Sequence, residues 1–253
     1  MSSPTVKSNI VNIPKMTVLL VSRERQKKLT DVIQSLIITS KYKSDIQFLI
    51  AVDSDDDSTI KCCHDLALKY KNINIICEIF ERKTYLNLHE YMNELVEKHS
   101  RSDLLLFWGD DIFMKPEKFW DEIIYEEYFK KNYGAYFVPC HHIVAGWKSS
   151  FHSGRSSTGP WAMPRSLYDK IDGFPGVWYD DWVRLISQES GCYFIVKELT
   201  SNHDRSGDNI SAQSAKIRKK MRTKNNLHSP QMREKMRQCV NRVRDHIARL
   251  NND

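Results

Sequence analysis

Leu104-Leu105-Leu106-Phe107-Trp108-Gly109-Asp110-Asp111-Ile112-Phe113-Met114 decides the reading of this chain. Five apolar residues run into a glycine and two acids before the apolar pattern resumes. Such a run predicts a buried strand that delivers two carboxylates to the edge of a sheet. Paired acids add little to a core, because buried charge without a partner is costly. They suit a hard divalent cation that in turn holds phosphates.

Outward from this strand the pattern alternates. Met16 to Val21 predicts a strand, followed by the loop Ser22-Arg23-Glu24-Arg25 and a helix over Leu29 to Ile38. Ile46 to Val52 predicts a second strand, Asp53 to Asp57 an acidic loop, and Ser58 to Tyr70 a helix capped by Ser58. Ile73 to Phe80 and then Tyr85 to His99 repeat strand and helix, and Asp103 to Trp108 is the fourth strand. A helix from Pro116 to Phe129 and a strand over Ala135 to Val138 follow. Strands alternating with helices predict parallel βαβ units in a doubly wound sheet, where ligands bind beyond the carboxyl ends of the strands. Residues 141 to 163 lack periodicity and read as a binding loop. Helices over Arg165 to Ile171 and Asp180 to Ser190, a turn at Asp172-Gly173 and a strand over Cys192 to Val196 complete the pattern.

Composition narrows the class. A chain of 253 residues, 41% hydrophobic and 28% charged, is ordinary for a globular α/β protein. No apolar stretch reaches the roughly 20 residues needed to cross a bilayer. The polar first fourteen residues, with a lone Lys7, predict no secretory signal, and six scattered cysteines predict free thiols in a reducing cytosol. The net charge of +6 is lopsided. Residues 211 to 253 hold 12 Lys or Arg against 3 Asp or Glu, whereas the preceding 210 hold 26 against 29. In this tail Met232, Met236, Cys239, Val243, Ile247 and Leu250 form one helical stripe, with basic residues elsewhere. The stripe predicts packing on the domain or on a second copy, with contact to an anionic membrane as the alternative. The tail lacks the interleaved aromatics of single-strand binders, so no nucleic-acid partner is expected.

Taken in order, Ser22-Arg23, Asp53, Asn93, Asp110-Asp111, Asp172-Gly173-Phe174-Pro175, Asp180-Asp181 and Gly191 resemble a nucleotide-sugar-dependent glycosyltransferase of the GT-A fold, nearest the inverting family-2 type. The resemblance covers about residues 15 to 205. It implies a GT-A-like (Rossmann-like), mostly parallel sheet flanked by helices, as a domain over residues 1 to 210 with a basic helical extension over 211 to 253. It departs from the family at Leu86 and Tyr91, where small residues are usual, and at Asp180, where the family has Glu.

The resemblance also implies roles. Asp111 would bind Mn2+ or Mg2+, Asp110 would reach a ribose hydroxyl or the metal shell, and His203 would complete the shell. Ser22, Arg23 and Asp53 would hold the nucleotide of a UDP- or GDP-sugar, and Arg82 or Lys83, unless simply surface charges, would meet its base or phosphate. Asp181 would be the general base, with Asp180 orienting a carbohydrate or other hydroxyl acceptor. The acceptor half is rich in tryptophan, and Trp161, Trp178 and Trp182 are candidates to pack on sugar rings. The expected activity is a hexosyltransferase-like transfer with inversion. A catalytically inactive carbohydrate- or nucleotide-binding protein of the same fold is the alternative. A sugar-phosphate nucleotidyltransferase is disfavoured, because no glycine-rich phosphate loop follows the first strand.

Overall fold

The computed structural model describes residues 15–114, 119–131, 136–144, 147–148, 160–176, 178–203 and 227–252. Nine strands are found among them: β1 (Met16–Ser22), β2 (Ile46–Asp53), β3 (Asn74–Phe80), β4 (Leu104–Phe107), β5 (Ile112–Met114), β6 (Tyr136–Val144), β7 (Trp147–Lys148), β8 (Trp161–Pro164) and β9 (Tyr193–His203). The helices are α1 (Gln26–Ile38), α2 (Asp57–Lys69), α3 (Leu88–His99), α4 (Trp120–Lys130), α5 (Arg165–Lys170), α6 (Tyr179–Glu189) and α7 (Pro230–Leu250). One mixed sheet runs β3-β2-β1-β4-β8-β6-β9-β5, with β7 on β6. The first four strands are parallel, as is the β6–β9 pair. Strand β8 runs antiparallel to both neighbours, and β5 runs antiparallel to β9.

Successive residues of β1 point to opposite faces, so one strand feeds two cores. Val18 and Leu20 join Leu29, Ile33 and Leu36 of α1 and Trp120 and Ile124 of α4. Leu19 joins Leu95 of α3, Leu167 of α5, Trp182 and Ile186 of α6, and Cys239 and Val243 of α7. Both faces are covered, which explains why the central strands read as unbroken apolar runs.

Four expectations are corrected. Asp56, not Ser58, caps α2: its carboxylate accepts the Thr59 N–H at 3.1 Å and the Thr59 hydroxyl at 2.6 Å. Ile112–Met114 forms a strand that was not expected, three residues being too short to show a period. Residues 141–144 continue β6, and 161–164 form β8 rather than a loop. The last strand extends from 193 to His203 instead of stopping at Val196. The expected helix start at Pro116 lies outside the described residues, and α4 begins at Trp120.

Helix α7 lays Met236, Cys239, Val240 and Val243 against α5 and α6. Arg242 ties it down by donating to the Lys170 carbonyl at 2.9 Å and to Asp172 at 2.5 Å. Residues 211–226 of the expected extension lie outside the described residues.

Asp121 is wholly buried at the start of α4 and accepts the backbone N–H groups of Lys41 (2.9 and 3.0 Å) and Tyr42 (2.6 Å). Next to it, the Trp120 indole donates to the Leu36 carbonyl at 2.9 Å, so α4 is fastened to the end of α1. Asp121→Ala strips two charge-assisted bonds and is expected to cost about 2–3 kcal/mol in urea unfolding, with Asp121→Asn losing about half as much.

Candidate functional site

The carboxyl ends of β1, β2 and β4 meet at one edge. Ser22 closes β1 opposite Val52 of β2, and Leu19 pairs with Phe107 of β4, so three further residues on each strand bring Ser22 level with Asp110. The Ser22 hydroxyl donates to Asp110 Oδ2 at 2.8 Å.

Past Ser22 the chain turns at Glu24, whose φ of 55° is in the left-handed region. The turn sends two guanidinium groups apart. Arg23 donates to Asp53 Oδ2 at 2.9 Å and also to Asp55. Arg25 donates to Asp110 Oδ1 at 2.8 Å and to Asp111 Oδ2 at 3.4 Å. Asp56 anchors the turn by accepting the Glu24 N–H at 2.7 Å. Burial pushes the Asp56 carboxyl up, but bonds from the Thr59 hydroxyl, the Glu24 N–H, Ser58 and the Thr59 N–H outweigh it and hold the pKa below the usual range.

Asp53 ends β2 and is 7% exposed. Its second oxygen accepts the Tyr91 hydroxyl, which itself accepts the Lys83 N–H at 2.7 Å. Burial and the neighbouring Asp53 charge push the Tyr91 phenol well above its ordinary value. Tyr91 therefore stays protonated as a donor. Arg82 is 61% exposed and pairs with Asp55 at 3.3 Å.

Asp110 and Asp111 are 6% and 7% exposed. The turn that presents them is fixed by the Trp108 indole, which donates to the Ile112 carbonyl at 2.7 Å, and by the Ile112 N–H on the Gly109 carbonyl at 3.2 Å. A Cβ on Gly109 would lie 2.9 Å from Ile112 Cδ1 and 3.0 Å from Asp111 Oδ1, so a side chain there would make both neighbours shift. Burial pushes the Asp110 carboxyl up, against the pull of Arg25 and Ser22. His203 lies opposite Ile112 in the β5–β9 ladder, one residue along from Asp111; its side chain is outside the described residues.

The second acidic pair stands in the first turn of α6. Asp180 accepts the Asp181 N–H at 2.9 Å, and Asp181 pairs with Arg184 at 2.9 Å. Burial, aided by the Asp181 charge, pushes Asp180 up to about 7. Aromatic packing connects this turn to the strand edge. Trp161 stacks on Phe107 at 4.0 Å and meets Tyr179, the residue before Asp180, at 6.3 Å. The loop leading into α6 is clamped by Asn93, whose side-chain oxygen accepts the Phe174 N–H and the Tyr168 hydroxyl, both at 2.9 Å.

Two of the tryptophan expectations are corrected. Trp182 is 0% exposed, and Trp161 is 5% exposed with its ring against Phe107, Phe174 and Tyr179, so both are core residues without a face for a sugar. Trp178 is half-buried at the start of α6 and keeps the possibility. The sequence pattern assigns Arg25 no role and marks Tyr91 only as a departure from the family. Arg25 carried one signal, its place two residues beyond Arg23 in the same loop; Tyr91 carried none, since its contact with Asp53 spans 38 residues.

The architecture, with a parallel four-strand half extended by antiparallel strands and carboxylates at its carboxyl edge, is that of the GT-A fold. Solved structures bear this out. The chain is similar to the mannosyltransferase PcManGT from Pyrobaculum calidifontis, solved with GDP-Man and Mn2+: TM-score 0.62, 11% identity, covering 94% of this chain and 74% of that one. It is similar to S. aureus TarS 1-349, solved with UDP-GlcNAc: TM-score 0.62, 12% identity, 78% of this chain and 61% of that one. For GalNAc-T7, solved with UDP, GalNAc and Mn2+, the TM-score is 0.55 at 13% identity, over 77% of this chain and 44% of that one. No family description matches the sequence, and no curated protein matches it.

The Asp180 carboxyl predicts a pH effect on stability. Its folded pKa of about 7 exceeds the ordinary 3.8, so the folded state holds the proton more tightly. Stability from this group is present at low pH and is lost as the pH rises through that window toward neutrality. Asp180→Asn is expected to raise stability at pH 8 by on the order of a few kcal/mol, the gain shrinking to nothing near pH 4. Chemical unfolding at both pH values measures it.

Proposed function

We propose that this chain transfers a sugar from a UDP- or GDP-sugar to a hydroxyl acceptor, with inversion and with dependence on a divalent cation. The observation that carries the reading is the convergence of Asp53, Asp110 and Asp111 with Arg23 and Arg25 at the ends of three parallel strands. Structures of the same fold hold GDP-Man or UDP-GlcNAc, which supports a nucleotide-sugar as donor.

The donor set fits a hard cation. Asp110 and Asp111 offer neighbouring carboxylate oxygens and share one guanidinium, and burial disfavours the charged form of Asp110, a cost that a nearby cation offsets. Among the described residues no group of three His, Cys, Asp or Glu gathers around one point, so the reading assigns the cation to Asp110 and Asp111, and His203, whose backbone pairs with Ile112, is the third ligand it would take. Manganese or magnesium bound there would supply positive charge to the departing diphosphate.

The other roles belong to the chain. Asp53, fixed by Arg23 and Tyr91, receives the nucleoside hydroxyls or base, with Ser22 beside it in the pocket and Arg82 at the rim. Asp181 takes the proton from the acceptor hydroxyl, whose oxygen forms the new bond to the anomeric carbon as the bond to phosphate breaks on the opposite face. Arg184 holds the Asp181 carboxylate in place through their 2.9 Å pair, and Asp180 orients the acceptor beside Trp178. Direct displacement of this kind inverts the configuration.

A binding-only protein is the second reading, favoured by the Tyr91 hydroxyl already resting on Asp53. Release of nucleoside diphosphate from a panel of donor sugars with Mn2+ separates the two. Asp111→Asn and Asp181→Asn are each expected to lower turnover by about 100-fold or more. Full turnover by both variants would sink the mechanism, and tight donor binding by the parent with no turnover would establish the binding-only reading.

A further inference from the structure

One nitrogen of Arg25 bridges both acids of the proposed cation site, 2.8 Å from Asp110 and 3.4 Å from Asp111. The backbone around it is fixed at both ends. The Glu24 N–H is held by Asp56, and the Arg25 carbonyl accepts the Leu29 N–H at 2.9 Å as the first bond of α1. The side chain is 19% exposed, so it is not sealed from solvent. Arg23, the other guanidinium of the loop, is committed to Asp53 and Asp55.

A divalent cation and a guanidinium compete for the same carboxylate oxygens, and their like charges repel within a few ångströms. Displaced from Asp110 and Asp111, a guanidinium has a fork of donors that matches phosphate oxygens in pairs. We propose that Arg25 is an exchange residue for the donor. It neutralises Asp110 and Asp111 while no cation is bound, and it passes to the diphosphate of the nucleotide when a divalent cation takes those carboxylates. The inference rests on the cation-dependent reading of the site and extends it to a binding residue that reading had not assigned.

Opposite signs in two titrations test it. Titrated calorimetrically with Mn2+ alone, Arg25→Gln is expected to bind the ion roughly tenfold more tightly than the parent, the effect of removing a competitor worth about 1.4 kcal/mol. Titrated with UDP or GDP at saturating Mn2+, the same variant is expected to bind at least about tenfold more weakly, having lost the paired contact. Arg25→Lys, which keeps the charge and guards against a folding defect, is expected to bind Mn2+ as the parent does but still lose nucleotide affinity. Unchanged or weaker Mn2+ binding by Arg25→Gln, or undiminished nucleotide binding by both variants, overturns the exchange role while leaving the transferase reading intact. A parent protein that binds neither Mn2+ nor nucleotide overturns both.

Discussion

Asp110 and Asp111 lie almost out of solvent at the end of β4, and an ionised carboxylate in that position needs compensating charge or hydrogen bonds. The arrangement around them follows from meeting that need. Ser22 reaches across from β1, Arg25 reaches back from the start of α1, and Gly109 leaves room for the carboxylate to stand beside Ile112. The parallel pairing of β1 with both β2 and β4 is what lets one loop serve three strand ends. Residues 22 to 25 thus brace Asp53 on one side and the Asp110-Asp111 pair on the other.

This bracing rests on few cations among the described contacts. Two arginines serve Asp53, Asp55, Asp110 and Asp111, and Arg82 adds only an exposed contact to Asp55. Surface pairs of the last kind contribute little, since water screens them. Among the described contacts, then, the same loop that turns at Glu24 carries the guanidinium groups that meet the acids of all three strand ends.

Much of this was legible in the sequence because its signals are local. The apolar run before Gly109, the strand that ends at Asp53 and the amphipathic stretch of α1 each depend on neighbouring residues, and each stands where its pattern placed it. What escaped depends on contacts between distant residues. Strands β5 and β8 are three and four residues long and are stabilised by antiparallel partners far along the chain. Trp161 and Trp182 carried the composition of a sugar cleft, but their rings are spent on Phe107, Phe174 and the α6 core. Arg25 became visible only when the left-handed turn at Glu24 was known, because a one-residue change in that turn would aim it elsewhere.

The aromatic bridge completes the logic of the edge. Phe107 belongs to the strand that delivers Asp110 and Asp111, and Tyr179 immediately precedes Asp180-Asp181; Trp161 touches both rings. Asn93 holds the loop between these elements with three hydrogen bonds, and a Cβ on Gly173 would come within 3.0 Å of the Asn93 side-chain oxygen. Packed rings and a clamped turn thus join the strand edge to the start of α6. In the proposed transfer the acceptor's base and the leaving group's counter-charge would stand on opposite faces of one sugar ring, and rigid packing between the two elements would keep them so.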